Sequence, residues 1–176
     1  MSVFNRKVSE CKSATILIQE RCVSLPKMQK KTEFDKYLKY AEKLFTEIID
    51  NTENPKAAVI YKIEIGNIRS SDYKFYIGKA SKGILRPMKH YQKFVSNYEN
   101  KVYRKTYKNG EVIGERKSWR KKVHIPLSEA RKKGKNIRLT MINVELTELD
   151  KTEQKMIKEN IQKYGIENTL NSVSLK

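Results

Sequence analysis

Six residues spread along the chain carry the side chains that chemistry on a phosphate group requires. They are, in chain order, Tyr61, Tyr76, Arg86, His90, Glu153 and Asn171. The guanidinium of Arg86 can donate a forked pair of hydrogen bonds to phosphate oxygens, which an ammonium cannot imitate. The carboxylate of Glu153 can hold Mg²⁺, because this ion keeps several waters and needs few protein ligands. His90 follows Arg86 by four residues, so a helix would place both on one face.

The positive charge of the chain is concentrated in one stretch. The 176 residues include 38 Lys and Arg against 20 Asp and Glu, a formal net charge of +18. Residues 79–138 hold 19 of the basic residues and four acidic ones, which leaves a net charge of +15 there. Aromatic residues are interleaved with the basic ones, which suits phosphate contacts combined with stacking or groove insertion. The candidate nucleic-acid-binding residues are Lys79, Arg104, Lys105, Lys108, Arg116, Lys117, Arg120, Lys121 and Lys122.

Other classes of protein fit the composition less well, although an acidic membrane or protein surface would also attract the basic stretch. Two cysteines, Cys11 and Cys22, cannot form a disulfide framework. No uncharged apolar run approaches the roughly 20 residues of a membrane span, and no secretory signal is visible. We therefore expect an intracellular, cytoplasmic protein without membrane association. Rich Lys, Ile and Asn usage suggests an AT-rich bacterial or phage genome.

The first half of the chain predicts one helix, two paired strands and a second helix. Apolar residues at helical spacing predict an amphipathic helix over residues 32–49, and the polar segment 51–55 interrupts it. Residues 57–65 and 73–77 are rich in β-branched and aromatic residues, so we expect an antiparallel hairpin. A helix is then predicted over residues 85–95, since Pro87 fits only its first turn.

The second half predicts a further hairpin and a closing strand and helix. Residues 101–117 hold Asn109-Gly110 between β-compatible arms, which is a strong hairpin signal. A short helix that starts with proline is predicted over residues 126–133, a third core strand over 137–144 and a last helix over 149–164. The expected fold class is α/β (α+β), with a small three-stranded mixed sheet flanked by helices.

The order of the candidate residues resembles the GIY-YIG nuclease superfamily. The first family motif corresponds to Val59-Ile60-Tyr61, where Val59 replaces the glycine, and the second corresponds to Tyr76-Ile77-Gly78. The catalytic arginine of the family matches Arg86, its metal-binding glutamate matches Glu153, and its late asparagine matches Asn171. Each motif is short, but five elements in the right order and approximate spacing are considerably stronger than any one of them.

The resemblance covers residues 57–172, about two-thirds of the chain. Residues 1–56 then form an N-terminal extension that carries the amphipathic helix. The basic hairpin and its flank, residues 101–122, form an insertion relative to compact members of the family, and we expect it to recognise the target.

The resemblance implies a DNA endonuclease that depends on Mg²⁺ (or Mn²⁺) and cuts double-stranded DNA, one strand per active site. Tyr61 would take a proton from the attacking water, while Tyr76 positions the nucleophile or the phosphate. Because tyrosine has a normal pKa near 10, Tyr61 would need to be acidified by the metal, Arg86 or a nearby lysine. His90 would act as an auxiliary base or contact the phosphate. Asn171 would hold the active-site backbone or a ligand by hydrogen bonding. A double-strand cut would require two copies, as in a homodimer, or two successive binding events.

Alternatives remain open for both the function and the carboxylate. The main rival is a non-catalytic DNA- or RNA-binding protein that retains the fold, and a second is a nuclease or accessory factor directed at RNA. Glu148 and Glu159 lie near Glu153 in the sequence and compete with it for the role of metal ligand. Lys122 and His124 are further candidates for contacts near the phosphate.

Overall fold

A four-stranded mixed sheet forms the centre of the protein. The computed structural model describes Asp35 and residues 38–172, with Arg86 described by its backbone alone. The strands and helices in chain order are β1 (Glu47–Asn51), β2 (Val59–Ile65), β3 (Lys74–Ala80), α1 (Leu85–Glu99), β4 (Tyr103–Lys108), β5 (Glu111–Lys117), α2 (Lys121–Lys132), β6 (Ile137–Asn143) and α3 (Leu149–Tyr164). The sheet has the order β1-β6-β2-β3, with β2 antiparallel to both of its neighbours and β1 parallel to β6.

Side-chain alternation along β2 divides the apolar core into two layers. Val59, Tyr61 and Ile63 point to the face covered by α1 and α2, where they join one buried cluster. Ile60 points to the opposite face and packs in a second buried cluster that includes Ile157 of α3. The sheet is therefore covered by helices on both faces, which confirms the mixed α/β class.

The predicted three-stranded sheet is wrong, because the sheet has a fourth strand. Residues 38–41 are helical, but the predicted helix does not continue to residue 49, since residues 47–51 form β1. The spacing of Phe45, Ile48 and Ile49 fits a helix, yet β-branched residues also suit a strand. Pairing with β6 makes this segment a strand and not a helix. The pairing begins beside a hydrogen bond of 2.9 Å from the Thr46 N–H to the Ile137 carbonyl. Residues 32–34, 36 and 37 of the predicted helix lie outside the described residues.

The start of the short helix was also predicted wrongly. Helix α2 begins at Lys121 and contains Pro126 in its interior, whereas the sequence places the proline at the helix start. Proline has no N–H to donate to the preceding turn, which normally disfavours this position. Burial of Val123, Leu127 and Ala130 against the sheet offsets that cost and fixes the helix. The other predicted elements are confirmed with ends shifted by a few residues.

The basic hairpin forms a separate two-stranded sheet. Strands β4 and β5 pair antiparallel through a tight turn at Asn109 and Gly110, whose φ angles are +51° and +84°. Every residue of both strands is exposed. Within residues 38–172, none of the helices has the length and apolar character needed to cross a lipid bilayer.

Candidate active site

An open cleft of about 700 Å³ lies where the carboxyl end of β3 meets three helices. Strands β2 and β3 contribute its floor, α1 and the start of α2 form one wall, and the first turn of α3 forms the other. The cleft brings together seven residues that the sequence singles out. They are Tyr61, Tyr76, Lys79, His90, Arg120, His124 and Glu153.

The contact between Tyr61 and Gly78 explains why the second tyrosine motif ends in glycine. The two residues are direct cross-strand partners in the β2–β3 pair. A Cβ atom added to Gly78 would overlap Cζ of Tyr61 and lie 2.5 Å from its hydroxyl oxygen. The phenol ring therefore lies directly on the backbone of β3, where only glycine leaves room for it.

Three tyrosine rings meet at the base of the cleft. The ring centroids of Tyr61, Tyr76 and Tyr91 are separated by 6.0–6.3 Å, in tilted and edge-on arrangements that aromatic pairs favour. The hydroxyl oxygens of Tyr61 and Tyr91 are hydrogen-bonded at 3.1 Å. Tyr91 thus holds the phenol of Tyr61 at its polar end while Gly78 accommodates the ring.

Burial makes Tyr61 a weaker acid than a free tyrosine. Its side chain is only 5% exposed. The pKa of Tyr61 is raised well above its usual value, first by burial and then by the neighbouring Tyr76, with the charge of Glu153 adding to the effect. At neutral pH the phenol therefore keeps its proton. The described surroundings do not supply the acidification that a role as proton acceptor requires, so in this state Tyr61 is a neutral phenol that is able to donate a hydrogen bond.

Two carboxylates of α3 share one ammonium group in the cleft. Lys79 Nζ lies 2.6 Å from Asp150 Oδ1 and 2.6 Å from Glu153 Oε2. These two ion pairs raise the pKa of Lys79, so its ammonium group stays protonated. The side chain of Glu153 is 13% exposed, against 85% for Asp150, so Glu153 is the inner of the two. The rivals Glu148 and Glu159 pair with lysines of their own helix instead of lining the cleft.

The carboxylates offer the kind of ligand that Mg²⁺ takes. Hard oxygen donors suit this ion, and it is often held by one or two carboxylates with waters completing the shell. The ammonium of Lys79 already occupies the position between the two carboxylates, which indicates that a cation fits there. Among the described residues, no group of three or more His, Cys, Asp or Glu side chains is arranged to hold a metal ion.

His124 is a buried and neutral imidazole in the wall of the cleft. Its Nδ1 accepts a hydrogen bond from the backbone N–H of Arg120 at 2.7 Å, so any ring proton of the neutral form is on Nε2. Its ring packs against Tyr91 and Phe94. Burial, together with the charge of Arg120, lowers the pKa of His124 to about 4. The residue is therefore uncharged at neutral pH.

Asn171 closes the outer edge of β3 beside the second motif. Its Oδ1 accepts the N–H of Ile77 at 2.9 Å, and its Nδ2 donates to the carbonyl of Ile77 at 2.7 Å. The Leu170 N–H also donates to the Phe75 carbonyl, at 2.7 Å. The amide side chain thus acts as a substitute strand neighbour that holds the backbone between Tyr76 and Gly78.

The remaining predicted residues fall into two groups. Arg86 lies in the first turn of α1, but its side chain is outside the described part of the structure. The basic residues of the insert are exposed and lie away from the cleft lining, on the hairpin and on the first turn of α2. They are Arg104, Lys105, Lys108, Arg116, Lys117, Lys121 and Lys122.

Two residues of the cleft were missed by the sequence analysis as parts of the site. Tyr91 continues the buried stripe of α1 formed by Ile84, Met88 and Val95, so its spacing indicates only a core residue. Nothing in the sequence shows that its hydroxyl meets Tyr61. Asp150 precedes Glu153 by three residues, and this i, i+3 spacing on a predicted helix could have identified it.

Comparisons with known proteins identify no relative: no family model matches the sequence, and neither a curated protein nor a solved structure matches it.

We predict that Gly78→Ala destabilises the fold because the new methyl group must displace the buried ring of Tyr61. Overpacking of this kind costs about 1–3 kcal/mol, measurable as a change in the free energy of unfolding in urea. Gly114→Ala is the matched control, since nothing lies within 4 Å of the added atom in the exposed hairpin. An equal effect of the two substitutions would contradict the proposed close contact.

We predict that His124 makes the fold less stable as the pH falls from about 6.5 to 4. In this pH range the imidazole binds a proton in the unfolded chain but stays unprotonated in the folded protein, where it is buried. The free energy of unfolding therefore decreases as the pH decreases. The difference amounts to at most about 3 kcal/mol. Because other groups titrate too, wild type should be compared with His124→Gln, which should flatten the dependence. An identical pH profile for wild type and His124→Gln would contradict the prediction.

Proposed function

We propose that this protein is a DNA endonuclease of the GIY-YIG type that uses a divalent metal ion to hydrolyse phosphodiester bonds. The observation that supports this function best is the meeting of Tyr61, Tyr76 and Glu153 in one cleft. Phenols and a carboxylate come there from β2, β3 and α3, elements far apart in the sequence.

Mg²⁺ or Mn²⁺ would be held by Glu153, with Asp150 as a second oxygen donor at the rim. When bound, the ion would neutralise charge on the scissile phosphate and lower the pKa of a coordinated water. Lys79 is the residue of this chain that now neutralises both carboxylates. A bound metal ion would take the place of the Lys79 ammonium on these carboxylates. The ammonium would then be able to contact a phosphate oxygen.

Tyr61 acts as a neutral donor in this proposal. Tyr61 and Tyr76 lie next to each other, and their hydroxyls are suited to donate hydrogen bonds to phosphate oxygens or to the attacking water. Tyr91 orients the hydroxyl of Tyr61 through the 3.1 Å hydrogen bond. A proton can leave Tyr61 only after additional positive charge enters the cleft, because burial opposes the phenolate.

The cleft is also built to attract a polyanion. Lys79, Lys82 and Arg120 line it, and further exposed basic residues lie on the hairpin and on the first turn of α2. One cleft contains one set of catalytic groups, so each active site would cut one strand. Cutting both strands would then need a second copy of the protein or a second binding event.

We predict that Glu153→Gln reduces cleavage of supercoiled plasmid in Mg²⁺ by roughly a hundredfold or more, while affinity for DNA changes little. The amide keeps the size of the side chain but removes the charge that holds the metal ion. Glu148→Gln is the matched control, because Glu148 lies at the start of the same helix and pairs with Lys151 outside the cleft. This control should cleave at the wild-type rate.

Wild-type protein should cleave in Mg²⁺ or Mn²⁺ and stop when a chelator is added. If pure wild-type protein bound DNA but never cut it under these conditions, the function would be that of a nucleic-acid-binding protein. If Glu153→Gln cleaved normally, the assignment of the carboxylate would be wrong.

A further inference from the structure

The hairpin projects from a fixed base next to the cleft. Trp119 at the end of the hairpin is buried and packs against Tyr98 of α1 and Tyr103 of β4, with ring centroids 5.7 and 5.4 Å away. Asn97 Nδ2 donates to Ser118 Oγ at 2.9 Å. Residue 97 lies one helical turn beyond Phe94, which lines the cleft. The base of the hairpin is therefore held in a defined place relative to the proposed active site.

The two faces of the hairpin differ in how their charges are paired across the strands. On one face Lys105 lies directly opposite Glu115, a favourable pair of opposite charges. On the other face Arg104 lies directly opposite Arg116, a like-charged pair that destabilises an isolated hairpin. The next pair on that face is Thr106 and Gly114. The second face, defined by Arg104, Arg116, Thr106 and Gly114, is called the arginine face below.

The arginine face has the chemistry of a surface that reads base edges. Arginine can donate two hydrogen bonds to the O6 and N7 atoms of guanine, and threonine can hydrogen-bond to bases or contact the methyl group of thymine. A side chain at Gly114 would meet nothing within 4 Å, so the backbone there is open to a close partner. A polyanion would remove the cost of placing Arg104 opposite Arg116.

The shape of the hairpin selects one kind of groove. Paired strands lie about 4.8 Å apart, so a two-stranded ribbon with its side chains fits the B-DNA major groove, which is about 12 Å wide. The major groove of double-stranded RNA is deep and narrow, and protein side chains cannot read it. Each strand of six or seven residues extends for roughly 20 Å, more than the depth of the DNA groove.

We propose that the hairpin inserts its arginine face into the major groove of double-stranded DNA and sets the position of the cleavage site in the cleft beside it. This inference rests on the proposed function, because it assigns the substrate of the same site as B-form duplex DNA. It assigns Arg104 and Arg116 as the residues that determine which sequence is bound. The cleft itself then holds the sugar–phosphate backbone without regard to sequence.

The test measures binding without cleavage. The full chain carrying Glu153→Gln is titrated, in the absence of metal, against a mixed-sequence DNA duplex and against the RNA duplex of the same sequence. Methyl green, which occupies the major groove, and netropsin, which occupies the minor groove, serve as competitors. The fluorescence of Trp119, the single tryptophan of the chain, reports on the base of the hairpin.

We expect the DNA duplex to bind about tenfold or more tightly than the RNA duplex, with methyl green displacing the protein and netropsin having little effect. Arg104→Ala/Arg116→Ala should weaken DNA binding about tenfold or more. Lys132→Ala/Lys133→Ala is the matched control with the same loss of charge, on exposed residues at the end of α2, and should change affinity about threefold or less. Equal weakening by the two double variants, displacement by netropsin alone, or equal affinity for RNA would overturn the proposal.

The result is separable from the proposed function. If wild-type protein fails to cut DNA while the binding pattern is as expected, the enzymatic proposal fails and the major-groove proposal stands. The opposite result is that wild-type protein cuts plasmid DNA, while neither competitor and neither arginine substitution changes binding. In that case the enzymatic proposal stands and the major-groove proposal fails.

Discussion

The ring of Tyr61 lies against the backbone of Gly78, and the architecture of the cleft depends on this cross-strand contact. The absence of a Cβ atom at Gly78 leaves room for the aromatic ring of Tyr61 against the neighbouring strand. The ring then reaches Tyr91, which brings the hydroxyl groups of β2 and α1 into hydrogen-bonding distance. The antiparallel β2–β3 pairing thus determines both the packing of the core and the position of the phenols.

The two sides of the cleft come from opposite faces of the same sheet. The phenols of Tyr61 and Tyr76 belong to the core layer under α1, whereas Glu153 belongs to α3 on the other face. They can meet only near the end of β3, where the sheet no longer separates the two layers. Lys79 lies on this boundary and connects them through its ion pair with Glu153. Asn171 holds the adjoining backbone of β3 in place.

Much of the fold could be predicted from local sequence patterns. The parts that could not be predicted are those that depend on residues far away in the sequence. The Asn109-Gly110 turn and the strand β2 carry their own signals, so both were predicted. The strand β1 was missed because the spacing of Ile48 and Ile49 also fits a helix, and its partner β6 lies about 90 residues away. The same limit applies to the prediction of the site. Glu153 matched a sequence motif, whereas the hydroxyl contact between Tyr91 and Tyr61 exists only after folding.

The hydrogen bonds of Leu170 and Asn171 to β3 have a consequence for self-association. An uncovered strand edge is a template on which a second molecule can add its own strand. Here the chain's own segment fills the outer edge of β3 as a parallel neighbour, starting from a bridge between Phe75 and Thr169. Two copies of this protein therefore cannot join their sheets through β3 into one continuous sheet. Association between two copies of the protein would therefore have to use another surface.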